Sequence, residues 1–119
     1  MNHNQSGRLA EFIAAAYFLA HGYSVIKHNY ITGRGTGAGE IDLIVKKKNL
    51  LVFVEVKKRN SIEKAAYAIL PSQQQRIWKA AENFIQNHPE FSEFDIRFDA
   101  FLYCSAFRFQ HISDAWRSW

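Results

Sequence analysis

Two short stretches carry the residues that can do chemistry: Gly39-Glu40-Ile41-Asp42, and Phe53-Val54-Glu55-Val56-Lys57. Alternate residues of a strand share a face. Glu55 and Lys57 therefore project together with Leu51 and Phe53 behind them, while Val52, Val54 and Val56 take the opposite face. A hairpin joins the two stretches. With a loop of Lys46–Asn49, Val45 pairs with Leu50 and Asp42 lies opposite Phe53, on the face of Glu55. Asp42 and Glu55 are then diagonal neighbours ~7–8 Å apart, and Glu40 falls across from Glu55. A slip of one residue would send Asp42 to the other face. Carboxylates gathered on one patch repel each other unless a cation sits among them, and an oxygen-only, acid-rich patch suits Mg²⁺ or Mn²⁺. The competing assignment pairs these acids with Lys57, Lys58 or Arg59.

This pattern fits hydrolysis of a phosphodiester, an anionic bond that resists attack by hydroxide. An ion held by Asp42 and Glu55 neutralises phosphate charge and lowers the pKa of a bound water. Lys57 orients the water or stabilises charge at phosphorus, and the Val56 carbonyl is a further candidate ligand. Glu11 stands in a nearly all-apolar helix, where an unpartnered carboxylate is costly. Either it lies beside the metal patch, or it is an early-turn carboxylate stabilised by the helix dipole. Arg34, Lys58 and Arg59 are the expected phosphate contacts.

The elements that must position these groups follow from periodicity. Gln5 to His21 reads as a helix with Leu9, Phe12, Ile13, Ala16, Tyr17 and Ala20 at i, i+3, i+4 spacing. Ser6 is the expected N-cap and Gly22 the stop. Tyr23–Tyr30, Glu40–Val45 and Leu50–Lys57 read as strands. Ser61–Leu70 is at least partly helical, and Ser72–Asn87 is a long helix with Ile77, Ala80, Ala81, Phe84 and Ile85 on its stripe, closed by His88-Pro89. Asp95–Tyr103 and Phe107–Ile112 complete the set. Helix, strands, helices, strands in that order predict an α/β fold, a mixed sheet flanked by helices.

The chain has 119 residues, 48% apolar and 22% charged. That bounds it to a single domain (1–119) of ordinary globular composition and excludes general disorder. Fifteen basic residues against eleven acidic give a net charge of +4. The excess is local: Lys46, Lys47, Lys48, Lys57, Lys58 and Arg59 against Glu55 make +5 within fourteen residues. A basic segment points to nucleic acid, while a lysine run alone also fits a solvated turn. Cys104 is the only cysteine. No disulfide framework or multi-cysteine zinc site is possible, and Cys104 reads as a small core residue. The start lacks a secretory pattern. The longest apolar stretch, Phe12–Ala20, is nine residues, too short to span a bilayer. The expectation is a cytoplasmic protein with no membrane association.

Other chemistries find little support. Gly33–Gly39 has no Gly-Lys-Ser/Thr continuation and precedes a strand, so it is not a P-loop. The five histidines at 3, 21, 28, 88 and 111 share no ligand spacing on one element. No nucleophile elbow is present. Asp99, beside Arg97 in an apolar strand, reads as a structural acid. Trp116 and Trp119 read as packing or partner contacts rather than base-stacking platforms.

The chain resembles the YraN-like family of bacterial proteins within the PD-(D/E)xK nuclease superfamily. The resemblance runs through Glu11, Gly22-Tyr23, Asn29, Gly39-Glu40-Ile41-Asp42-Leu43-Ile44, Phe53-Val54-Glu55-Val56-Lys57-x-Arg59, Arg76-Ile77, Ala80-Ala81 and Arg97-Phe98-Asp99. It implies a restriction-endonuclease-like core, a mixed central sheet between helices. It also implies a nuclease signature at Asp42, Glu55 and Lys57, with Glu11 in the place of the first-helix acid of junction-resolving members. Those members act as homodimers, although no self-complementary patch is legible here. Ala10 replaces a usual glycine, the Gly33–Gly39 loop is longer than usual, and Gln73 stands where a lysine is typical, which weakens the phosphate contact expected from that position.

Two functions fit these residues. One is a Mg²⁺- or Mn²⁺-dependent endonuclease acting on DNA, branched or junction DNA included. The other is a nuclease-like module that binds nucleic acid without turnover.

Overall fold

The computed structural model describes residues 3–32 and 38–117. The chain forms α1 (His3–Ala20), β1 (Ser24–Ile31), β2 (Glu40–Lys47), β3 (Leu50–Lys58), α2 (Ile62–Tyr67), α3 (Pro71–Asn87), β4 (Asp95–Ser105) and β5 (Arg108–Trp116). A 3₁₀ turn at Pro89–Phe91 links α3 to β4. The five strands lie side by side in chain order. All neighbours are antiparallel except β3 and β4. A parallel pair needs a crossover, and α2 with α3 supplies it. The radius of gyration is 13.7 Å, against about 13.5 Å for one compact domain of this length. This is the expected α/β domain with a mixed sheet flanked by helices.

The sheet is covered on both faces, which is why β3 begins as an unbroken apolar run. On one face Ile44, Leu51, Phe53, Phe98 and Leu102 pack against Ile77, Ala80, Ala81 and Phe84 of α3. On the other, Leu43, Val45, Val52, Val54 and Phe101 pack against Ala10, Ala14 and Phe18 of α1. Ser61 caps α2, its Oγ accepting the Lys64 N–H at 3.1 Å. Pro71 opens α3, where its missing N–H costs nothing.

The helix α1 differs from its sequence reading in two ways. It begins at His3, so Ser6 is inside it rather than at its cap. Its buried face is Ala10, Ala14, Ala15 and Phe18, whereas Leu9, Phe12, Ala16 and Ala20 are exposed. A helix apolar on most sides gives little directional signal. The small side chains win the contact because they bring the helix close to the sheet. Strands β4 and β5 run longer than the periodicity suggested, and Trp116 is buried, stacked on Phe98 at 5.6 Å. Trp119 lies outside the described residues. No helix among the described residues is long and apolar enough to cross a membrane.

Candidate active site at the end of strand β3

The hairpin register is the first determinant of the site. Lys47 pairs with Leu50, Lys46 with Leu51 and Leu43 with Val54. The turn is therefore Lys48-Asn49 rather than Lys46–Asn49, with Lys48 at φ 55°. The register moves by two residues from the sequence reading. An even shift preserves faces. Asp42 keeps its face but lies one step beyond Leu43↔Val54, directly across from Glu55 instead of Phe53. Glu40 does not oppose Glu55; it pairs with Ile31 of β1. The lysines deceive because Lys46 and Lys47 are paired within the β2–β3 ladder while their ammonium groups reach aromatic rings on other segments. The Lys46 ammonium sits 5.4 Å over the Phe94 ring, and that of Lys47 sits 5.3 Å over Tyr23.

Asp42 is fixed by the backbone it faces. Its Oδ2 accepts the Val56 N–H at 2.8 Å. Glu55 is 4% exposed. Its Oε2 accepts from Gln73 Nε2 of α3 at 3.2 Å, and its Oε1 is 3.8 Å from Lys57 Nζ. Burial pushes the Glu55 carboxyl up to about 10. A hydrogen bond and repulsion from Asp42 add to this, and Lys57 opposes it. At neutral pH the Asp42–Glu55 pair thus retains a proton where two adjacent carboxylates would otherwise repel.

Asp42, Glu55, Val56, Lys57 and Gln73 line one cleft of about 320 Å³ with Gly39, Glu40, Arg76 and Ile77. Glu11, Lys58 and Arg59 line an adjoining cleft of about 210 Å³ with Gly7 and Ala10. Val56 and Lys57 border both. The sequence candidates thus converge on one end of the sheet but divide between its two faces. Arg34 lies outside the described residues. A larger cavity, about 710 Å³, lies at the opposite end of the sheet, lined by Trp78, Ile85 and Phe94. It contains none of the candidates.

Glu11 sits more than two turns inside α1, with no acid in the first turn. The dipole assignment therefore fails, because that effect fades within one turn. Its carboxyl is raised by burial and by Asp42, and lowered by Asn29. Glu40 is raised by burial and again by Asp42. With its amide nitrogen turned toward the acids, Asn29 donates to Glu40 Oε1 at 3.1 Å and to Glu11 Oε2 at 3.2 Å.

Asn29 is a residue that the reading of candidate sites missed. Its φ of 50° is a conformation asparagine tolerates better than most residues. The flanking pairs His28↔Leu43 and Tyr30↔Ile41 place it opposite Asp42. The only local signal was an asparagine inside an otherwise strand-like run. Arg76 was also missed as a site residue. The Gly39 N–H donates to its carbonyl at 3.0 Å, and a Cβ on Gly39 would meet Arg76 Cβ at 3.2 Å. That close approach explains the glycine before Glu40.

Among the described residues, no three histidine, cysteine or acidic side chains form a ready-made metal cage. The site offers two facing carboxylates with open space beside them. That donor set suits a hard cation that keeps several waters, as Mg²⁺ does, better than a fully protein-ligated ion.

Fold and site define a class: a small α/β domain with a paired-carboxylate and lysine cleft at the end of its central strand. Residues 10–102 match the family model described as "Uncharacterised protein family UPF0102". The chain belongs to that family. A UPF0102 protein of Bradyrhizobium diazoefficiens is 48% identical over 98 residues, covering 82% of this chain and 71% of the relative. One from Paramagnetospirillum magneticum is 40% identical over 111 residues, covering 93% and 86%. One from Rhodopseudomonas palustris strain HaA2 is 41% identical over 111 residues, covering 93% and 84%.

Proposed function

We propose that this chain is a metal-dependent endonuclease of the PD-(D/E)xK type that hydrolyses phosphodiester bonds in DNA. The observation that carries this reading is the Asp42–Glu55 pair, set beside Lys57 in one cleft. Asp42, Glu55 and the Val56 carbonyl would hold Mg²⁺ or Mn²⁺, with Glu11 supporting through the adjoining cleft. When bound, such an ion supplies charge neutralisation at the phosphate and a more acidic water.

The chain's own groups do the rest. Lys57 sits between the two clefts with its ammonium already near Glu55, so it can donate to a phosphate oxygen or orient the attacking water. Gln73 fixes the Glu55 carboxyl by donating to it, a different role from the phosphate contact expected at that position. Asn29 holds Glu11 and Glu40 by donating to both. Lys58 and Arg59, exposed at the end of β3, contact flanking phosphates, which position the strand without reading its sequence.

The test is a cleavage assay in Mn²⁺ on labelled duplex, flap, four-way-junction and single-stranded DNA. Wild type is expected to cut at least one of these, and Glu55→Gln none, while salt-sensitive binding persists in both. Binding of DNA by wild type without cutting of any substrate would overturn the catalytic reading in favour of the binding module.

A further inference from the structure

The end of the sheet that carries the two clefts also carries a feature that hydrolysis does not use. Strand β4 runs parallel to β3 past Lys58 and turns back at Ala106-Phe107, with Ser105 paired to Arg108. Phe107 at this tip is 99% exposed. Turn positions favour Gly, Asn, Asp and Ser for backbone reasons, and Phe107 serves none of them. The next aromatic along the strand, Phe109, is instead stacked on Phe101 at 5.1 Å.

The surroundings are cationic. Lys58 pairs with Tyr103, and the Arg59 N–H donates to the Tyr103 carbonyl at 3.1 Å. Tyr103 is two residues before Ser105, ~7 Å along the strand. Arg108 adjoins the tip and is exposed. The stretches Lys57–Asn60 and Cys104–Ser113 contain Lys57, Lys58, Arg59 and Arg108 and no acid. Charge therefore favours a phosphate backbone over an acid-neutral protein surface as the occupant.

An exposed ring set among cations is the arrangement by which proteins stack unpaired bases while gripping the backbone. Bases inside a duplex are already stacked, so the ring gains nothing from them. Glu55 pairs with Ala100, five residues before Ser105, which is ~17 Å at strand rise. That span is about five nucleotide steps of duplex.

We propose that Phe107 is a stacking wedge for an unpaired base, with Lys58, Arg59 and Arg108 on the adjoining phosphates. The preferred ligand is then DNA with a single-stranded segment or branch about five steps from the carboxylate cleft. This rests on the reading of the chain as a nucleic-acid binder, but not on turnover.

The test is fluorescence anisotropy of the full chain, without divalent ions and at one fixed salt concentration. The probes are a labelled perfect duplex and a labelled fork with unpaired thymidine arms. Phe107→Ala is expected to weaken fork binding ~10-fold, as loss of one base stack does. Duplex binding should stay within about twofold, and Phe107→Trp should restore the fork. The residue is fully exposed, so equal thermal melting of all three proteins is expected. Unchanged fork binding by Phe107→Ala, or an equal loss on both probes, would overturn the wedge alone. Wild type that binds neither probe would overturn the wedge and the nucleic-acid reading together. A dimer lost in Phe107→Ala with fork affinity intact would assign the tip to contact with a second copy and overturn the wedge.

Discussion

Asp42 and Glu55 oppose one another across the β2–β3 ladder, and the Asp42 carboxylate accepts the N–H of Val56, the residue that follows its partner. One acid is thereby anchored by the backbone of the strand that carries the other. The arrangement fixes both groups before any ligand arrives, which is the kind of preorganisation that electrostatic catalysis requires.

The first consequence concerns pH. The Glu55 carboxyl is held up to about 10 by burial and by Asp42, from 4.5 ordinarily. The folded state therefore prefers the proton. The stability this contributes is complete below about pH 4.5 and is lost as pH rises toward 10. Glu55→Gln removes the ionisable group while keeping the shape. Thermal melting from pH 5 to 9 should show wild type falling more steeply than Glu55→Gln. Parallel slopes would contradict the assignment.

Gln73 offers a way to tune that group. Its amide donates to Glu55, and a lysine there would place a cation against the carboxylate. Gln73→Lys should lower the Glu55 titration midpoint, followed by carbon-13 NMR of the carboxyl. An unchanged midpoint would show that position 73 does not address Glu55 in solution.

Asp99 tests the opposite sign. It is fully buried and accepts from Arg97 at 2.7 and 2.8 Å, from the Asp114 N–H at 3.0 Å, and bonds His111 Nε2 at 2.6 Å. Tyr17 on α1 joins through His111 Nδ1 at 3.0 Å. Burial alone would raise Asp99, but the His111 and Arg97 bonds outweigh it and hold the carboxyl below its usual 3.8. Its stabilising contribution is present above about pH 3.8 and is lost as pH falls below. Asp99→Asn should cost about 3 kcal/mol in urea unfolding at pH 7, the scale for breaking a buried ion pair. A cost under about 1 kcal/mol would mean the network is not a structural element.

On the proposed mechanism, Lys57 is the residue whose loss separates binding from chemistry. Lys57→Ala is expected to slow single-turnover cleavage by about 10²-fold or more, the scale for losing a group that stabilises developing charge. DNA affinity should change only a few-fold, as one phosphate contact among several. Equal losses in rate and affinity would make Lys57 a binding residue only.

The fold was largely legible because its signals are local. Alternation in Leu50–Lys57 assigned Glu55 and Lys57 to one face and Val52, Val54 and Val56 to the other, as the two cores show. The stripe on α3 was legible for the same reason. The turn length was not, because Lys46 and Lys47 look like loop residues although both are paired in the β2–β3 ladder, their ammonium groups over Phe94 and Tyr23. The buried face of α1 was hidden by apolar residues on every side. Asp99 was read as a structural acid, but its partners His111 and Asp114 come from β5 and could not be paired to it by spacing. Asn29 meets Glu11 and Glu40 through a left-handed backbone position that periodicity does not encode.

The central claim is that the facing carboxylates form an ion site. It is tested most directly by calorimetric titration of Mn²⁺ into wild type and Asp42→Asn at pH 7.5, repeated in buffers of different ionisation enthalpy. The expected result is one ion bound by wild type with release of the proton held by the pair, and little or no binding by Asp42→Asn. An ion that wild type does not bind, or that Asp42→Asn binds equally well, would contradict the claim.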